Sequence, residues 1–125
     1  MEKGKKGLIV GALLMMIVFL GQTIKADHFT GECGTELNAV EFAISNGVFY
    51  GRNAATSQTN LLTKLEAAAA KISLGKYSDA VDKLLDISDG ATKLADAPKP
   101  KLEDASAING SVGQAIGCVG ALPGA

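Results

Sequence analysis

The chain has no tryptophan, a single histidine at His28 and a single arginine at Arg52. Each shortage closes off a kind of chemistry. With one imidazole there is no base to activate a Ser or Cys nucleophile elsewhere, and no His-rich ligand set for zinc. With no Trp and two Tyr, a stacking platform for sugar rings has little to be built from. Phosphate or sulphate recognition needs clustered Lys and Arg, and no such cluster occurs after residue 26. Nucleic acid is therefore not an expected partner. The two cysteines, Cys33 and Cys118, are too far apart for a Cys-x-x-Cys redox or zinc motif. Strand signals are also scarce, because β-branched residues are scattered and alternation never lasts.

The start of the chain is different in kind. Lys3, Lys5 and Lys6 precede "LIVGALLMMIVFL", residues 8–20, in which every position is apolar or Gly. A basic start, a short apolar stretch and a small residue form the pattern of an export signal. The expected cleavage point follows Ala26, with Ile24 two residues before it. An uncleaved anchor is the alternative, although about 20 apolar residues are usual for a span and this run is shorter. Residues 27–125 then carry eight basic and twelve acidic side chains, a net charge of −4. A 99-residue piece of this kind is one small domain, of a size that burial alone stabilises only marginally.

In an oxidising compartment two cysteines most simply form one bridge. Cys33 and Cys118 would close a loop of about 85 residues, worth roughly 4–4.5 kcal/mol in chain-entropy terms.

Glycine, proline and polar clusters divide the mature region into four helical segments. The first is predicted over 36–50, capped by Thr35, with Leu37, Val40, Ile44 and Val48 inward and Phe42 and Phe49 widening the stripe. "TSQTN" reads as a connector. The second runs over 58–74 on Leu61, Leu65, Ala68 or Ala69, and Ile72, through four consecutive alanines of high helix propensity. Gly75 ends it in the left-handed conformation that glycine tolerates. The third covers 77–95 with Ala80, Val81, Leu84, Leu85, Ala91 and Leu94 inward, and Pro98 and Pro100 stop it. The fourth covers 101–119 with Leu102, Ala105, Ile108, Val112, Ala115, Ile116 and Val119 inward. Gly110, Gly113 and Gly117 weaken it, each at about 1 kcal/mol relative to Ala. The expected fold is all-α: a small antiparallel four-helix bundle over 36–119. A signal or anchor over 1–26 and an arm over 27–35 come before it, and a tail over 120–125 follows. In an up-down-up-down bundle Cys33 and Cys118 fall at the same end, so the disulfide staples the two termini.

Asp79, Asp82, Asp86 and Asp89, with Asp96, form an acidic row on the third helix. Calcium needs six to eight oxygens converging on one point. Carboxylates stepped along a helix diverge, so the row reads as a solvated face, with Lys64 and Lys71 of the second helix placed to meet it. His28 would become the second residue after cleavage, where amine, amide and imidazole together can hold copper; the ordinary reading is a lone side chain in a loose terminus. Neither metal nor cofactor is expected. Asn109-Gly110-Ser111 matches a glycosylation triplet, and Gly113-x-x-x-Gly117 a helix-packing motif. Both lie inside the fourth helix, where the triplet reads as a chance match and the glycine pair as packing within the bundle. Paired carboxylates for glycoside chemistry need a cleft that so small a bundle hardly has. Enzyme activity is not expected.

The stretch "KLEAAAAKISLGKYSDAVDKLL", residues 64–85, resembles one tetratricopeptide hairpin through its Gly-x-Tyr-x-x-Ala turn. Shifting by 34 residues in either direction finds no second copy, so no superhelix is expected. A longer stretch, through Leu61, Leu62, Lys64, Leu65, Ala68, Leu74, Gly75, Ala80 and Leu84, resembles the FIMAH-type helical module of extracellular bacterial proteins. That resemblance implies an extracellular accessory or binding module. The expected function is thus an exported, non-enzymatic helical domain, secreted or periplasmic, whose partner is a protein or a cell-surface component. Contact with membrane follows only if the leader is retained. The alternatives are a bundle that assembles with itself and an inhibitor of an exported enzyme.

Overall fold

The computed structural model describes residues 28–125. The expected export leader, its cleavage point and the alternative anchor lie outside those residues. Four helices follow in order: α1 Gly34–Ser45, α2 Ala54–Ser73, α3 Tyr77–Asp96 and α4 Ser106–Gly120. They form a small antiparallel bundle in which α1 packs on α2 and α4, and α3 packs on the same two. The Cys33–Cys118 disulfide joins the residue before α1 to the last turn of α4, with the two Cα atoms 5.9 Å apart.

α1 begins two residues earlier than predicted, and Thr35 does not cap it. Cys33 occupies the cap position in a left-handed conformation, φ 60°, with no side-chain cap bond. The start depends on Gly34, where an added Cβ would stand 2.8 Å from the Phe29 carbonyl oxygen. Leu37, Val40 and Ile44 are buried as their spacing predicts. The helix then stops at Ser45 rather than Tyr50. The Asn46 side chain donates to the Phe42 carbonyl at 2.8 Å, and Gln58 of α2 donates to the carbonyls of Ile44 (2.9 Å) and Ser45 (3.2 Å). These bonds satisfy carbonyls that a longer helix would have used.

Beyond that stop, the expected inward roles of Val48 and Phe42 fail. Val48 is 49% exposed because the chain has left the helix. Phe42, 66% exposed, lies almost opposite the stripe of Leu37, Val40 and Ile44 at 100° per residue. Phe49, by contrast, is half-buried.

Two connectors meet instead. Tyr50 donates its N–H to the Lys101 carbonyl at 2.8 Å, and Glu103 donates to the Val48 carbonyl at 2.9 Å. Phe49 and Leu102 thereby face one another in a single antiparallel bridge. Residues 101–105 are therefore not the first part of α4, which begins at Ser106, five positions later than expected. Leu102 and Ala105 are buried all the same, but from a connector.

α2 begins four residues earlier than predicted and takes in "TSQTN". It ends as expected at Gly75, φ 74°, where Gly75 donates to the Ile72 carbonyl (3.0 Å) and Lys76 to the Lys71 carbonyl (2.8 Å). This pair of bonds is the Schellman closure, and it needs the left-handed residue glycine supplies. α3 buries Ala80, Leu84, Ile87 and Ala91. Leu85, expected inward, is 46% exposed, and Ile87 fills the core instead. The 4-3-4 spacing of the buried positions places Leu85 one residue off the seam. α4 runs unbroken through Gly110, Gly113 and Gly117.

Candidate functional site

The α1–α4 side of the bundle carries an open groove of about 1500 Å³. Its existence follows from where the two connectors run. α1 stops early, so residues 46–48 leave its axis. Glu103 and Asp104 approach from the other connector, and Ala107, Ile108 and Ser111 of α4 supply the far wall. Phe42 and Val48, two of the large apolar side chains that the core left out, stand on this groove. Sequence reasoning placed both in the core. Val48 is exposed because α1 ends early, an end that depends in part on Gln58 from another helix, and Phe42 because it lies opposite the buried stripe of α1.

The carboxylates of Glu41, Glu103 and Asp104 line the same groove, and no described lining residue is basic. Asp104 accepts the Ser106 N–H at 2.8 Å, and this bond holds its carboxyl below the usual carboxylate range.

At the near end the arm is fastened to α1. Asn38 accepts the Phe29 N–H at 2.8 Å and returns a bond to the Phe29 carbonyl at 2.9 Å. His28 is stacked on Phe29, with centroids 4.4 Å apart. Its Nδ1 lies 2.6 Å from Glu41 and its Nε2 lies 3.1 Å from Glu66 of α2. The bond to Glu41 raises the histidine pKa above 6.5, with smaller help from the charge of Glu66. The loose-terminus reading of His28 is thus corrected: both ring nitrogens already face carboxylates of the bundle.

The other candidate residues are dispersed. Asp79, Asp82, Asp86 and Asp89 are all exposed along α3. Lys71 reaches Asp79 at 4.0 Å across the hairpin. Gly75 is a turn and lines no part of the large groove. Among the described residues, the one group of three ligand-type side chains close enough to share an ion is Cys33, Glu36 and Cys118. Its two sulfurs are already joined to each other. Asn109 donates to Thr92 Oγ1 at 3.1 Å and accepts from Ser88 Oγ at 2.8 Å. The glycosylation triplet therefore has its amide engaged between α3 and α4. On the opposite face of α4, Gly110, Gly113, Gly117 and Gly120 are exposed, and an added Cβ at any of them would meet nothing within 4 Å.

Among the described residues, no helix is long and apolar enough to cross a membrane. A disulfide between distant cysteines is consistent with an oxidising, extracellular setting. In comparison with known proteins, the chain matches no family model, no curated protein and no solved structure.

Proposed function

We propose that this chain is an exported, non-enzymatic helical domain that binds a protein or another cell-surface component through the α1–α4 groove. The observation that carries the reading is the exposure of Phe42, at 66%, on the wall of a groove lined by other apolar groups. Large apolar side chains grouped at one surface depression are what binding sites use for affinity. The groove also exceeds the roughly 300–1,000 Å³ of ordinary small-molecule pockets and is open to solvent, which fits a stretch of polypeptide better than a metabolite. The FIMAH-type resemblance points to the same class of exported accessory module.

A photo-crosslinking side chain placed at position 42, in the cells that make the protein, tests this. Adducts heavier than the monomer are expected at position 42 and not at Asp89 on the acidic row. Equal labelling from both positions, or none from either, would refute it. Intact-mass measurement of the exported protein should show loss of residues 1–26.

A second reading is self-association, and α4 favours it. Its fifteen residues include no charged side chain, and its solvent face is largely glycine. Light scattering after size-exclusion chromatography separates the two: a monomer over a wide concentration range removes self-association.

A further inference from the structure

The groove does more than offer an apolar surface; its charge selects among partners. Three carboxylates, Glu41, Glu103 and Asp104, share it with Phe42, Val48 and Ile108, and no described lining residue is basic. Each carboxylate of the negative rim is anchored. Asp104 is held ionised by the Ser106 bond that opens α4, and Glu41 is fixed in place by His28. Glu103 is positioned by its own backbone, whose N–H is donated to Val48. The rim is thus built from α1 and from the connector between α3 and α4, and the same bonds that set the fold set its charge.

We infer that the groove takes an exposed polypeptide segment carrying an aromatic or branched aliphatic anchor flanked by Lys or Arg. This rests on the binding-domain reading above and names the chemistry of its partner. The anchor would pack on Phe42 and Val48, and the flanking cations would lie against Glu103 and Asp104. Other occupants fit less well. A nucleic acid or an anionic lipid surface meets a negative rim and loses Coulomb energy. A second copy of the domain presents like charge, because residues 27–125 carry a net charge of −4 and an exposed aspartate row.

The test is selection of a random displayed peptide library on the protein as recovered from its producing cells. Enriched peptides should combine a large apolar residue with at least two Lys or Arg. Their affinity should fall more than about 10-fold for Phe42→Ser, as for a central anchor. It should fall about 3- to 10-fold for Glu103→Lys, and should weaken in high salt as rim charges do. Phe42 and Glu103 are both exposed, so each variant is expected to keep the parent melting curve, which is measured alongside. Enriched peptides without an excess of basic residues, yet lost in Phe42→Ser, would overturn the charge inference and leave the binding groove standing. No enrichment, or binding indifferent to Phe42→Ser, would overturn both. If peptides bind only after deletion of residues 2–26, the chain's own Lys-rich apolar leader is the occupant, and the proposal of a separate partner fails.

Discussion

Gly113 and Gly75 call for opposite substitutions, although both belong to helical hairpins. Gly113 and Gly117 lie inside α4, exposed, with nothing within 4 Å of an added Cβ. Alanine there removes backbone freedom from the unfolded chain and loses no contact. Each replacement should stabilise by about 0.5–1 kcal/mol in urea unfolding. Gly75 sits at φ 74°, where a Cβ is strained, so Gly75→Ala should destabilise by about 1 kcal/mol. A loss of stability for Gly113→Ala would mean that another surface covers α4 in solution. His28 provides a titration at the same scale. Its protonated ring donates to Glu41 and faces Glu66, so the charged form is favoured and the pKa rises above 6.5. The contribution of this clamp to stability is complete below 6.5 and is lost as pH rises through the raised value. Ring proton resonances should therefore titrate above 6.5, and Glu41→Gln should return the midpoint towards it. An unchanged midpoint in that variant would show that the Glu41 bond does not form.

At the scale of elements, the connectors carry more of the architecture than their composition implies. Leu102 is fully buried, opposite Phe49, although it lies in neither neighbouring helix. Leu102→Ala should cost about 2–5 kcal/mol, as for other buried leucines. It should also speed amide exchange at Tyr50 and Glu103, whose N–H groups bridge the two connectors; unchanged protection there would show that the bridge does not depend on Leu102. This region also marks the limit of what periodicity could reveal. The core positions of α2 and the Gly75 turn follow from local spacing, the cysteine pairing from a count of two, and the structure has them. The early end of α1 does not, because Gln58, fourteen residues away, helps to cap Ile44. Residues 101–105 kept helical spacing with Ile108 by coincidence, since burial of Leu102 and Ala105 arises from a loop crossing the bundle end. The groove was illegible for the same reason. Val48 reads as a core residue until the helix that would have buried it is seen to stop, whereas the place of Phe42 opposite Leu37, Val40 and Ile44 was already in the helical spacing.

At the scale of the whole molecule, one covalent bond does what a larger core would do elsewhere. A domain of this size typically retains about 5–15 kcal/mol of net stability. The Cys33–Cys118 bridge closes 85 residues and so removes about 4 kcal/mol worth of loop freedom from the unfolded chain. It acts where the ring of helices closes: α1 leans on α4 more than on α2, and the bridge ties the start of one to the end of the other. Cys33, one end of the bridge, has the left-handed conformation from which α1 begins. Cys118→Ser should therefore lower the melting temperature by about 15–30 °C, the usual conversion for a loss near 4 kcal/mol in a domain of this length. Reductant should bring the parent protein to the same value, while leaving the variant unmoved. A parent protein indifferent to reductant would mean that packing alone holds the termini together. If the shift is as large as expected, the domain is at its full stability only where thiols are oxidised, which ties the fold itself to an oxidising setting.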